Sequence, residues 1–309
     1  MIAQSRRYLI VYALAFLALV VAFGIWSGRS MRESQAFYRL YAFQLEKLAY
    51  AGPMATAFVG DSTLGNAIDA RIFHELAHAP AINLALTGSY GYAGSYHMLR
   101  RLLTRDPVLQ PRNVIIVQAP DMLKREDDDL AALMSEDGAG FELPAFQELP
   151  GTLSAYLAYL KLVYSEDVMK KNFRYAFADS EPHGDWMLDY VPQRPPLRVT
   201  PELLAREKLS PGINPGKLRY LEKIAALCKN AQVNCVYAHG PMLDALCAGS
   251  QPYFAQAAQA IRGTGLRLLA DTPLCIPEGE LGDAVDHVRP AFKTQATRNY
   301  YRSLAPLLQ

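Results

Sequence analysis

Five short apolar runs constrain this chain more than anything else in it: ATAFVG (55–60), AINLAL (81–86), NVIIVQA (113–119), NCVYAHG (234–240) and LRLLAD (266–271). Continuous rather than alternating apolar character marks a strand buried on both faces, the environment of a parallel sheet. Helical patterns lie between the runs at 92–104, 216–231 and 251–263, and a last one at 290–308 closes the chain. Strand and helix in alternation predict an α/β fold: a three-layer α/β/α sandwich around a parallel five-stranded sheet. Its crossovers are right-handed, and ligands bind at the carboxyl ends of its strands.

Ahead of this pattern, residues 8–26 read YLIVYALAFLALVVAFGIW, nineteen positions without a charge. At about 1.5 Å per residue such a helix covers roughly 30 Å of hydrocarbon, so residues 1–31 are expected to form an N-terminal transmembrane anchor. A cleaved signal peptide is the rival reading, but its apolar core runs about 7–15 residues and ends in small side chains, whereas this stretch exits through Ile25-Trp26-Ser27. Residues 32–54 follow as an amphipathic stalk helix, with Phe37, Tyr41, Leu45 and Leu48 on one face. The α/β/α domain then occupies 55–309, interrupted by a largely helical insertion at about 122–205 that contains the acidic run Asp127–Asp129 and the aromatics Tyr156, Tyr159, Tyr164, Tyr175 and Trp186. The acidic run reads as a solvated patch, since it lacks the Gly and terminal Glu of a calcium loop. The aromatics offer surface for stacking on sugars, or else pack a helical core.

All four cysteines lie in the last third. Cys228 ends a helix and Cys235 opens the next strand, a short-loop pairing that leaves Cys247 with Cys275 and implies an oxidising space outside the cytoplasm; four reduced, buried thiols are the alternative. Thirty-one basic against thirty acidic residues give a net charge of +1, which excludes the basic field of a nucleic-acid binder, so no nucleic-acid partner is expected. No phosphate loop, GxGxxG, HExxH or GxSxG occurs, and no cofactor or metal is expected.

The chemistry-bearing residues sit at strand ends. The first strand runs into Asp61-Ser62-Thr63-Leu64-Gly65, which puts a serine at its carboxyl end. A serine hydroxyl needs an adjacent base, usually a histidine oriented by a carboxylate. Asp283-Ala-Val-Asp286-His287, just before the last helix, supplies both. Ser62 alone reads equally well as a helix N-cap, and His287 alone as a loop histidine; it is their joint placement that suggests a triad of Ser62, His287 and Asp283. Asp286 competes for the role of the acid. His239, at the carboxyl end of the fourth strand, is a pocket candidate or a structural histidine.

These residues resemble the SGNH (GDSL-like) hydrolase superfamily, which has a flavodoxin-like sandwich fold. Gly60-Asp61-Ser62 with Gly65 matches its first block, and Asn83-Leu84 through Gly88 is similar to its N-L-x-x-x-G block. The resemblance implies that the backbone N–H groups of Ser62 and Gly88 hold the oxyanion. The third block, G-x-N-D, is replaced by Ala119-Pro120-Asp121, so the asparagine donor is missing and a carboxylate stands nearby; the last block has the longer form D-x-x-x-H from Asp283 to His287. Asp121 must then turn away from the oxyanion or stay protonated, and the first is favoured because a neutral carboxylic acid needs strong desolvation. Simple-ester hydrolysis is expected to be slow. Asp61, Asn83, Asp121, His239 and Asp286 complete the list of pocket candidates.

Anchor, SGNH-like domain and altered third block together look like the accessory proteins that work beside membrane-bound O-acyltransferases on bacterial cell-surface polysaccharides. That resemblance implies a single-pass inner-membrane protein whose catalytic domain faces the periplasm. Its expected partners are the inner membrane, a membrane-bound O-acyltransferase, a glycan acceptor and an acyl donor. The alternatives are a lipid or small-ester hydrolase with the same triad, and a non-catalytic partner that keeps the fold.

Overall fold

The apolar runs pair side by side. In the computed structural model, which describes residues 8–22, 36–126, 128, 131–132, 157 and 196–308, strands β1 (Thr56–Gly60), β2 (Ala81–Ala85), β3 (Asn113–Gln118), β4 (Asn234–His239) and β6 (Arg267–Leu268) form one parallel sheet in the order β2-β1-β3-β4-β6. The first three strands are buried at every position, as continuous apolar runs require. A second, two-stranded parallel sheet joins β5 (Met242–Leu243) to β7 (Cys275–Ile276). Two residues per strand are too few to leave a periodicity, and the sequence reading missed them.

The strand order sets the layers. From β1 the chain moves to one edge of the sheet through α2 (Ser62–Ala67) and α3 (Ala70–Ala77), and from β2 it moves back the other way through α4 (Gly91–Leu103). Right-handed crossovers travelling in opposite directions leave their helices on opposite faces. Helix α4 packs against α6 (Pro215–Ala231), which precedes β4, and α6 touches α8 (Gln251–Gly263), reached from β4 through α7 (Asp244–Gly249). On the other face α9 (Lys293–Leu304) returns to pack on α2 and α3. There the Thr297 hydroxyl ties the three helices together, accepting from Asp69 N at 2.9 Å and lying 3.2 Å from the Ala67 carbonyl. The short α5 (Pro201–Glu207) contacts α7.

The helix expected as a stalk, α1 (Ala36–Tyr50), lies against this domain. Its Leu40, Tyr41 and Leu48 are buried, Tyr41 stacks on Tyr90, and the Gln44 amide donates to the Ala85 carbonyl at 2.7 Å. Its apolar face is therefore a docking face. Residues 8–22 form a helix whose apolar side chains are exposed, and among the described residues no helix is long and apolar enough to cross a membrane.

Most of the insertion, including the five aromatics named above, lies outside the described residues. Its first turn does not. Asp128, read from sequence as part of a solvated acidic patch, is 2% exposed and ion-paired with Lys217 of α6, and it also accepts from Tyr92 N at 3.1 Å. A buried carboxylate needs such a partner, and losing one member of the pair typically costs about 3–5 kcal/mol. The fit requires Gly91, whose φ is +50°, because a Cβ there would collide with the Asp128 carboxylate.

Both expected disulfides are present, Cys228–Cys235 and Cys247–Cys275, with Cα separations of 6.0 and 6.1 Å, and they fit a domain that folds outside the cytoplasm. The first closes a loop over 7 positions and the second over 28. Chain entropy then gives about 2–3 kcal/mol for the first and about 3–4 kcal/mol for the second. We expect the Cys247→Ser/Cys275→Ser pair to lose more stability in urea unfolding than the Cys228→Ser/Cys235→Ser pair; the reverse order would contradict the loop argument.

Candidate active site

Strand β1 ends at Gly60, whose close approach to the Val117 carbonyl leaves no room for a Cβ. The next residue, Asp61, is 1% exposed and N-caps α2: its Oδ1 accepts from Thr63 N at 2.9 Å and from the Thr63 hydroxyl at 2.7 Å. Its Oδ2 accepts from Ala119 N at 2.8 Å, tying the helix start to the end of β3. Ser62, the first residue of α2, is half-buried. A cap satisfies one of the N–H groups that a helix start leaves without intrahelical partners. Burial raises the Asp61 pKa, and the Arg125 charge and these hydrogen bonds oppose the rise.

Across the sequence the loop from Gly282 to Val288 is closed by Gly282 N donating to the His287 carbonyl at 2.8 Å and by a bridge between Leu281 and Val288. It presents His287 to Ser62, with Nε2 3.1 Å from the serine Oγ. Its Nδ1 is 2.8 Å from Asp283 Oδ1. With Asp283 ionised, Nδ1–H donates to it and Nε2 is left to accept from the hydroxyl. Burial pushes the His287 pKa down, but the Asp283 hydrogen bond and the Asp286 and Asp283 charges outweigh it, leaving it above the ordinary 6.5.

Asp283 and Asp286 therefore divide the ring between them. Asp283 takes the Nδ1 side, while Asp286 Oδ1 lies 3.9 Å from Nε2, on the side of the serine. Burial raises the Asp286 pKa to about 6. Asp121, Arg125, Asp283 and Asp286 line one cavity of about 520 Å³, with Leu203 and Met242 supplying apolar wall.

Three pocket candidates lie elsewhere. Asn83 is fully buried in β2, donating to the Ile68 carbonyl at 2.8 Å and accepting from Ala85 N at 3.0 Å, so it holds backbone. Asp61 is the cap just described. His239 is buried between Tyr237 and Phe254, its ring nitrogens make no hydrogen bond among the described residues, and burial holds its pKa at about 4. It is a packed neutral ring, as aromatic neighbours and missing polar partners dictate.

Gly88 opens a short 3₁₀ turn, Gly88–Tyr90, at the end of β2. Asp121 is ion-paired. Arg125, one turn on, grips it: Nε lies 3.1 and 3.0 Å from the two carboxylate oxygens and Nη2 2.8 Å from Oδ1. Sequence reading missed Arg125; the available signal was the i, i+4 spacing from Asp121, which marks an acid–base pair only once that segment is known to turn helically. No protein-family model, curated protein or solved structure matches the chain.

The raised Asp286 pKa has a stability consequence. Between about 4 and 6 the folded state binds more protons than the unfolded one, so ionising Asp286 lowers stability above that window and the penalty is absent below it. We expect Asp286→Asn to stabilise the protein at pH 8 by up to about 3 kcal/mol, with the gain vanishing near pH 4. Denaturant unfolding across that range checks it, and a loss at pH 8 would mean that the carboxylate is needed ionised.

Proposed function

We propose that the chain is a serine O-acyltransferase or esterase of SGNH type, acting outside the cytoplasm on a cell-surface polysaccharide through an acyl-serine intermediate. The observation that carries the reading is the hydrogen-bonded series Ser62 Oγ, His287 and Asp283. A parallel α/β sheet with serine at the end of its first strand, and two disulfides, support it. The uncharged run 8–26, with the exposed apolar side chains of residues 8–22, supports an anchor in the inner membrane, and a membrane-bound O-acyltransferase is the proposed partner.

In the first half-reaction Ser62 Oγ attacks the acyl carbonyl carbon while His287 Nε2 takes the hydroxyl proton, and the carbonyl π pair moves onto oxygen. Collapse of that oxyanion expels the leaving group, which takes the proton from His287. In the second, a sugar hydroxyl gives its proton to Nε2 and attacks the acyl-serine, and Ser62 leaves with the proton returned. Water in place of the sugar makes the same steps a hydrolysis. The N–H groups of Ser62 and Gly88 sit in first turns, where no intrahelical acceptor exists, and are the backbone donors for the oxyanion.

A fluorophosphonate probe is expected to label Ser62 in the purified full-length chain and to leave Ser62→Ala unlabelled; an unlabelled wild type would overturn the reading in favour of a non-catalytic partner. The base must be neutral to accept a proton, so the labelling rate should rise with pH through a midpoint above 6.5. In Asp283→Asn the carboxylate that lifts this midpoint and fixes the tautomer is gone, and the rate should drop by up to about ten-thousand-fold while the midpoint moves to lower pH.

A further inference from the structure

The third block offers no side-chain amide, yet the place is not empty of donors. The Arg125 guanidinium is held by the Asp121 carboxylate through Nε and Nη2, and its Nη1 lies 3.4 Å from the Gly88 carbonyl oxygen. A Cβ built on Gly88 would come within 2.5 Å of that Nη1, so the cation rests directly against the glycine whose N–H is one of the two backbone donors. The backbone beneath it is fixed as well, since the Asn214 amide donates to the Arg125 carbonyl at 3.0 Å and the Tyr253 hydroxyl to the Pro120 carbonyl at 2.8 Å. A guanidinium carries five N–H groups; Asp121 and Gly88 engage one each on Nε, Nη2 and Nη1, which leaves two among the described residues. Arg125 lines the same cavity as Asp283 and Asp286.

We propose that Arg125 is the third oxyanion donor, doing with a charged N–H what the amide of the third block does in the proteins this chain resembles, and that Asp121 is its positioning residue. The inference rests on Ser62 being the nucleophile. When the carbonyl π pair moves onto oxygen, the new negative charge meets the Ser62 and Gly88 N–H groups and a cation whose orientation is already fixed, so little reorganisation accompanies the step. The Asp121 charge is then balanced by its own arginine and does not repel the oxyanion. That removes the reason for expecting slow ester cleavage.

The test compares fluorophosphonate labelling of Ser62 with p-nitrophenyl acetate turnover, using full-length wild type, Arg125→Ala, Arg125→Lys and Asp121→Asn. Arg125→Ala should lower the labelling rate constant and kcat by about a hundred- to a thousand-fold with KM nearly unchanged. Lysine should restore part of this, and so should guanidinium chloride far below denaturing concentration added to Arg125→Ala but not to a Ser62→Ala control. Asp121→Asn should lose less than Arg125→Ala, because the donor stays and only its anchor goes. Wild-type rates in Arg125→Ala would overturn the role of Arg125 alone. So would a loss that tracks a lowered unfolding temperature and is not rescued by guanidinium. No labelling of wild type would overturn the nucleophile reading, and this inference with it.

Discussion

One buried carboxylate organises the site. Asp61 accepts three hydrogen bonds, two from Thr63 and one from Ala119, and so joins the end of β1, the start of α2 and the end of β3 at a single side chain. An acceptor-only group in an apolar interior is stable where donors surround it, and here the donors are two backbone N–H groups and a hydroxyl. Ser62 follows immediately, so its position is set by what Asp61 holds. Its hydroxyl meets His287 Nε2 at 3.1 Å.

Around His287 the charges are arranged in two pairs of unequal burial. Asp283 pairs with the ring itself and Asp121 pairs with Arg125, while burial raises the Asp286 pKa to about 6. Near neutrality Asp286 is mostly ionised, and its charge joins that of Asp283 in drawing the imidazole toward its charged form. Arg125 also attracts Asp61 and Asp286, so its charge reaches both halves of the site.

Much of this was legible in the sequence, for identifiable reasons. Runs such as NVIIVQ are buried on both faces, so composition alone marked the strands, and a serine directly after one of them falls at a strand end by geometry. The cysteine pairs followed from one short loop between helix and strand. Other features were hidden because they are set by tertiary contact. Asp128 looked solvated until Lys217, 89 positions away, was seen beside it. The amphipathic face of α1 was legible as a face, but a period of 3.6 does not say what the face touches. Asn83 and His239 carry the polar atoms of binding residues, yet one is spent on backbone groups and the other is enclosed by rings.

The Ser62 to His287 hydrogen bond spans 225 positions of chain. At a synthesis rate of about 5–20 residues per second, roughly 10 to 45 seconds pass between making the serine and making the histidine that it meets. Helix α9, stitched to α2 and α3 through Thr297, is made later still. A chain made only through Ala119 has the donors that hold Asp61 but not the ring that Ser62 Oγ meets. The Ser62–His287–Asp283 series therefore closes only after the chain through His287 has been made.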